Sequence, residues 1–231
     1  MTHATRHYTA DMKMFALVET DHRLLLLLPR FNIELGFGEQ SIRTACQKHD
    51  IDTDFFLMIC NIYSFEDYMP DEETAQKVDV CQLIAYLSKS HGYYLNHRLQ
   101  AINRELQAII KNGEKAHATI LTRFFKEYEK EISDHFTYEE NVVFPYILGV
   151  AGGHKNTDYR IDKFEENHTN INDKLSDLKN ILIKYLPETS ALEERMNLIF
   201  NIFSFELDLR KHTLLEDWIL VPKVRQMELL W

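Results

Sequence analysis

Apolar side chains recur every three or four residues from about residue 78 to residue 228, which is the spacing of one face of an α-helix. Residues typical of turns interrupt the pattern at Asn112-Gly113, at Ala151-Gly152-Gly153 and at Pro187. We therefore predict four amphipathic helices, over residues 79–111, 115–148, 161–186 and 191–226. The chain has only seven glycines and five prolines among 231 residues, which favours long helices over a sheet of many strands.

Histidine, glutamate and proline recur within these helices at a constant spacing. The first set is His91, His135, Glu139 and Pro145, and the second set is His168, His212, Glu216 and Pro222. Each member of the second set follows its counterpart by 77 residues, and the two histidines of each set are 44 residues apart. The histidines and glutamates lie inside the apolar stripes of the predicted helices, on the faces that are expected to be buried.

This spacing predicts that the histidines meet at one level of a helical bundle. A helix rises about 1.5 Å per residue, so a chain that climbs for about 20 residues, turns and descends equally far returns to its starting level. Turn signals lie midway between successive histidines, at Gly113, Ala151-Gly152-Gly153 and Ser190. We predict an all-α, antiparallel up-down four-helix bundle with four histidines and two glutamates in one layer.

Such a layer is either a polar core or a metal centre. A single histidine on an apolar stripe is usually a hydrogen-bonded core residue. A buried carboxylate is different, because it is costly without a cation or a metal, and no lysine or arginine recurs at matching positions on all the facing stripes. Imidazoles and carboxylates without a thiolate suit iron, manganese or another borderline cation better than structural zinc. Six side chains are too many for one metal ion that must keep a coordination position open. Shared between two ions, the six side chains leave the glutamates to bridge the metals.

Charge and cysteine content narrow the classes of function. A formal net charge of -10 argues against the broad basic face that binds nucleic acid. The three cysteines form no Cys-x-x-Cys pair, so we expect neither a disulfide framework nor a cysteine zinc site. The apolar run from Leu24 to Leu28 is too short for a membrane span. We therefore expect a protein of the reducing cytoplasm, without a targeting segment.

The ligand pattern resembles that of the hemerythrin-like proteins and, within them, the iron-sulfur cluster repair proteins known as the repair of iron centres (RIC) family. Four segments carry the resemblance, namely SKSHGYYLNH, DHFTYEENVVFP, FEENHTNIND and RKHTLLEDWILVP. The resemblance implies the metal ligands His91, His135, Glu139, His168, His212 and Glu216. It also implies two iron ions with a bridging oxygen species, with manganese or zinc as the alternative metals.

Two positions bear on the subfamily. Oxygen-carrying hemerythrins have a fifth histidine where this chain has Asn172, and this difference favours the four-histidine repair type. Oxygen carriers also use an aspartate five residues after the histidine of the fourth helix, and Asp217 occupies that position. We prefer Glu216 as the ligand, because residues four apart share a helix face with His212 whereas Asp217 projects about 100° away.

The first 75 residues are expected to form a small helical module ahead of a bundle domain of residues 76–231. The segment LGFGEQSIRTACQKHDIDTDFF contains a glycine turn, a short helix, a break and a second helix start. It is similar to the N-terminal module of the repair proteins, although residues 33–38 read IELGFG and lack the cysteine pair usual there. A DNA-binding helix-turn-helix is the alternative, but its acidic surroundings offer few partners for phosphate.

The resemblance implies a protein that protects or repairs iron-sulfur centres damaged by nitric oxide or oxygen, under nitrosative or oxidative stress. The expected partners are one of these diatomic gases, damaged iron-sulfur proteins and an electron donor, with no membrane and no nucleic acid. A second hypothesis is an oxygen, nitric-oxide or redox sensor that signals through its N-terminal module. A third is a metal-binding bundle without turnover. The sequence leaves open whether the protein is an enzyme and which oligomeric state it adopts.

Overall fold

The computed structural model describes residues 7–111, 115–154, 159–167, 171, 173–187 and 191–230. The regular elements in these ranges are helices, and one isolated β-bridge joins Lys13 and Ser41. The all-helical class predicted from the sequence is therefore confirmed. None of the helices in these ranges has the length and apolar character needed to cross a lipid bilayer.

The chain divides into two compact units, Met1–Gln82 and Leu83–Trp231. This division lies slightly later than the boundary between residues 75 and 76 that the sequence suggests. The proposed metal ligands all belong to the second unit, so the first unit is described only briefly.

The first unit contains short helices with buried apolar side chains, including Met14, Leu17, Phe56 and Ile59. Its α-helices are α1 (Met14–Thr20), α2 (Ile42–Lys48), α3 (Thr53–Ser64) and α4 (Glu72–Lys77), and its 3-10 helices are His22–Leu26 and Leu28–Phe31. Ser41, Asp52 and Asp71 cap α2, α3 and α4, because each side-chain oxygen accepts a backbone N–H of the first turn. The predicted helix, break and second helix correspond to α2, residues 49–52 and α3.

The second unit is built from four long helical segments. Residues 80–111 contain α5 (Val80–Tyr93) and α6 (Leu99–Lys111), and residues 115–151 contain α7 (Lys115–Tyr138) and α8 (Phe144–Ala151). The third segment contains α9 (Asp162–Asn167) and α10 (Asp173–Asn180), and residues 192–229 contain α11 (Leu192–Leu215) and α12 (Val221–Leu229). These bounds agree with the four predicted helices to within a few residues at each described end.

The four segments pack around one apolar core. Helix α6 packs against α7 and α11, and α10 packs against the same two helices. One cluster of buried side chains draws on every segment, including Leu106, Phe125, Leu175 and Leu198. Burying a side chain of this kind contributes about 1.5–3 kcal/mol, so the shared core fixes the faces that the four segments present to one another.

Three of the segments contain a widened, π-helical turn close to a predicted ligand. These turns are residues 94–98, 139–143 and 216–220. In the second and third, the backbone N–H of Phe144 donates to the carbonyl of Glu139, and that of Val221 donates to the carbonyl of Glu216. Both glutamates therefore begin a π-turn, a feature that is frequent at functional sites.

The prolines of the repeat account for the position of these two turns. Pro145 and Pro222 stand at the start of α8 and α12, directly after the π-turns. A proline inside an α-helix has no N–H to donate, and its ring collides with the carbonyl four residues earlier. The wider turn separates the proline from that carbonyl, so the helix continues without a break.

We expect a fragment of residues 76–231 to fold without the first unit, because it contains the whole of α5 and every side chain of the shared core. Circular dichroism should show the helix content of the second unit, and the fragment should hold as much iron as the full chain. A fragment that is helical but free of metal would contradict this prediction, since it would show that the first unit contributes ligands.

Candidate metal centre

Two histidines and two glutamates from three helical segments converge in the interior of the second unit. They are His91 on α5, Glu139 at the end of α7, His212 on α11 and Glu216 directly after it, and their potential ligand atoms all lie within 4.8 Å of one another. His91 and His212 are 2% and 1% exposed, and both glutamates are fully buried. Ionisable groups are seldom buried this completely unless they are paired or bind a metal.

The distances in this cluster fit a shared metal ion. His91 Nε2 lies 3.0 Å from His212 Nε2 and 3.1 Å from Glu139 Oε2, and His212 Nε2 lies 3.1 Å from Glu216 Oε1. Two ligand atoms bound at right angles, each about 2.1 Å from one ion, are separated by about 3.0 Å. The spacing and the mixture of imidazole nitrogens and carboxylate oxygens therefore suit a borderline transition metal such as iron.

The carboxylate of Glu139 faces two different histidines. Its Oε2 lies 3.1 Å from His91 Nε2, and its Oε1 lies 3.0 Å from Nε2 of His135, one helical turn earlier on α7. The side chain of His135 is 9% exposed. A carboxylate that presents one oxygen to each of two imidazoles has the arrangement needed to join two metal positions.

The structure thus brings together five of the six ligands implied by the sequence, namely His91, His135, Glu139, His212 and Glu216. The sixth, His168, lies outside the described residues, as does Asn172. Between the two acidic candidates on the fourth segment, Glu216 is fully buried in the cluster whereas Asp217 is exposed. The side chain that shares a face with His212 is therefore the one that lies in the centre.

Glu140 is a participant that the sequence reasoning missed. Its Oε1 lies 2.7 Å from His91 Nδ1, and both of its carboxylate oxygens accept from Ser88 Oγ at 2.7 Å. A carboxylate on the far nitrogen of a metal-binding histidine fixes the tautomer and ring orientation and makes the histidine a stronger ligand. The acidic pairs Glu139-Glu140 and Glu216-Asp217, which are also 77 residues apart, were the available signal.

The carboxylates around His91 control its charge. Burial lowers the pKa of the His91 imidazole, but the hydrogen bonds to Glu139 and Glu140 outweigh this effect and raise the pKa to about 9. The hydrogen bond from His91 in turn lowers the pKa of Glu140. Without metal, the proton on His91 offsets the buried negative charge, and a bound cation would replace that proton.

Aromatic rings enclose His91 and His212. The Phe136 ring stacks on His91 with 4.2 Å between centroids, and Phe144 stacks on it at 5.5 Å. Tyr94 meets His212 edge-on at 5.6 Å, and its hydroxyl donates to Asp208 Oδ1 at 3.0 Å. These rings hold the imidazoles in position and keep bulk water away from this side of the site.

Comparison with known proteins supports a cation-binding role for this cluster. The Hemerythrin HHE cation binding domain family matches residues 93–224, more than half of the chain. Similar proteins include the iron-sulfur cluster repair protein YtfE of Salmonella paratyphi B, of Salmonella newport and of Salmonella heidelberg. Each is 24% identical over 192 residues, which cover 80% of this chain and 83% of the relative.

Replacement of Glu140 tests its action through His91. Glu140→Gln removes the charged acceptor but keeps the size of the side chain, so we expect metal affinity to fall by about 10- to 100-fold. Competition with a chelator measures this change, and Glu127→Gln, an exposed change on α7, is the matched control. Equal affinity in both variants would show that Glu140 does not tune the ligand.

Glu216 and Asp217 can be separated by single substitutions. We expect Glu216→Ala to lose at least one iron per chain, because it removes a buried carboxylate from the centre, and Asp217→Ala to keep the iron content of the unchanged chain. Metal analysis after anaerobic purification measures both. The opposite ranking would mean that the π-turn at residues 216–220 presents Asp217 to the metal instead.

Proposed function

The chain belongs to the hemerythrin HHE cation-binding family, and on this basis we propose that it is a di-iron protein that protects or repairs iron-sulfur centres damaged by nitric oxide or oxygen. We also propose the antiparallel up-down arrangement of the four helical segments and the bridging oxygen species between the two irons that the sequence leads us to expect. The observation that carries it is the orientation of Glu139, whose two oxygens each face a different histidine.

This orientation suggests how the ligands divide between two ions. His91 and His212, whose Nε2 atoms are 3.0 Å apart, would hold the first iron. His135, on the other side of Glu139, would hold the second together with His168, which the family resemblance supplies. Glu139 and Glu216 would be the ligands common to both.

The protein residues control what reaches these positions. Phe136, Phe144 and Tyr94 exclude water beside His91 and His212, while Glu140 holds His91 in the tautomer that offers Nε2 to a metal. Two bound irons would supply an exchangeable coordination position for a diatomic gas and the electrons needed to reduce it. A pair ligated mainly by histidine suits this chemistry better than iron storage, where carboxylate-rich bundle sites are typical.

Iron-sulfur repair is supported by the relatives. The similar Salmonella proteins are named as iron-sulfur cluster repair proteins, and the similarity extends over 80% of this chain. We therefore propose damaged iron-sulfur proteins and an electron donor as the partners of this protein. We also propose that it acts under nitrosative and oxidative stress, in the cytoplasmic location expected from the sequence.

A gas or redox sensor is the second candidate. It is favoured by the first unit, Met1–Gln82, which is compact and has its own capped helices. Repair and sensing differ in one measurable respect. A sensor changes its affinity for a partner when its metal state changes, without restoring damaged clusters.

The proposed function is tested by incubating the iron-loaded protein, with a reductant, with an iron-sulfur enzyme inactivated by nitric oxide. We expect recovery of that enzyme's activity, and we expect His135→Ala and His212→Ala to lose at least one iron and to abolish the recovery. His97→Ala, at an exposed position six residues after His91, should behave like the unchanged chain. If both ligand variants keep two irons, the site assignment is wrong. If the iron-loaded chain restores nothing, repair is wrong and the sensor is favoured.

A further inference from the structure

The first unit contains a cleft between helix α3 on one side and α4, with the residues that lead into α5, on the other. Its volume is about 460 Å³, which lies within the range of about 300–1,000 Å³ that is typical of ligand sites. None of the six residues of α4 is buried, so packing between α3 and α4 leaves this space unfilled. All the lining residues belong to Met1–Gln82, and the cleft is therefore a feature of one unit.

The inner side of the cleft is apolar. Phe55 and Met58 of α3 line it from one wall, and Val78 lines it from the other. These side chains are 5%, 1% and 6% exposed, so they form a fixed floor rather than a mobile surface. A ligand that places an apolar group on this floor removes further apolar area from water, which favours binding.

The outer rim of the cleft is acidic. Asp52, Asp54 and Asp79 lie on it and are exposed, and within the described part of the chain none of the three has an ion-pair partner. The cation of the rim, Lys77, is already compensated, because its Nζ lies 2.6 Å from Glu73 Oε1. The rim therefore attracts positive charge and repels anions such as phosphate.

Asn61 gives independent evidence that the cleft takes a ligand. It lines the cleft, yet it is only 4% exposed. Its Oδ1 accepts the backbone N–H of Tyr8 at 2.9 Å, and this contact fixes the orientation of the amide. Its Nδ2 donates to no group in the described ranges. Buried polar groups nearly always have a partner, so this amide offers its N–H to an acceptor on a bound molecule.

The three features are arranged along one face of α3. Asp54, Met58 and Asn61 are separated by four and three residues, which places them on one side of the helix. A rise of about 1.5 Å per residue separates Asp54 from Asn61 by about 10 Å, the length of about three extended residues. Successive side chains of an extended peptide point to opposite sides, so one set of side chains can meet the floor while the other meets the rim.

We propose that this cleft binds a short extended segment of a partner protein in which basic and apolar side chains alternate. A backbone carbonyl of the segment accepts from Asn61 Nδ2. Its apolar side chains contact Met58 and Val78, and its lysines or arginines pair with the rim aspartates, including Asp54. The inference goes beyond the proposed function, because it concerns the first unit and holds whether the iron centre repairs clusters or senses a gas.

The first test is isothermal titration calorimetry of the full-length, iron-loaded chain with the capped tetrapeptide acetyl-Lys-Leu-Lys-Leu-amide. We expect saturable binding of one peptide per chain and no binding of acetyl-Glu-Leu-Glu-Leu-amide, which has the same apolar side chains and the opposite charge. Spermidine is the comparison for a small cation without a backbone carbonyl. Absence of binding by the basic peptide, or equal binding by spermidine, overturns the proposal.

The second test locates the peptide by substitution. Asp54→Asn keeps the size of the side chain and removes its charge, so we expect the dissociation constant to rise by about three- to fivefold, as for the loss of an exposed ion pair. Glu19→Gln, an exposed change on α1 outside the cleft, is the matched control and should bind like the unchanged chain. Circular dichroism checks that both variants are folded. Equal affinity in the two variants overturns the assignment of the cleft.

The third test observes Asn61 without changing it, since substitution of so buried a residue endangers folding. The side-chain amide of Asn61 gives its own signal in a nitrogen-proton NMR spectrum of the chain labelled with nitrogen-15. We expect this signal to move as the basic peptide is added, because the amide gains an acceptor, and to stay in place with the acidic peptide. A stationary Asn61 signal at saturating basic peptide overturns the proposed contact.

Discussion

The burial of two carboxylates, Glu139 and Glu216, is the constraint on which the rest of the second unit depends. Both are fully buried, and an ionised carboxylate in a protein interior is strongly unfavourable unless positive charge and hydrogen bonds compensate it. His91, His135 and His212 contact these carboxylates at 3.0–3.1 Å. The imidazoles therefore compensate the two buried carboxylates. Because an imidazole can bind either a proton or a metal ion, this polar core is also a candidate metal centre.

The helices depart from regular α-helical geometry next to the histidines and glutamates of the centre. Each glutamate stands one turn after a histidine on the same face, and a π-turn opens directly at the glutamate. Pro145 and Pro222 then start the next α-helical stretch.

Regular helical periodicity explains why much of this was predictable. The 77-residue repeat of His135 and Glu139 in His212 and Glu216 identified the buried faces and the level at which they meet, because helix rise and turn position fix both. The partnership of Glu140 with His91 was not predicted, since it depends on a contact between two segments. The π-turns were not predicted either, since a proline within a helix can also kink the helix or end it. Pro145 and the doubled acid at Glu139-Glu140 were visible signals, but their meaning requires the packed helices.

The central claim is that Glu139 joins two metal positions, and a crystal structure of the iron-loaded chain with anomalous diffraction at the iron absorption edge tests it most directly. The account predicts two iron peaks per chain, with one oxygen of Glu139 bound to each, His91 and His212 on one iron and His135 on the other. A single iron peak, or two peaks that share no carboxylate, would contradict it.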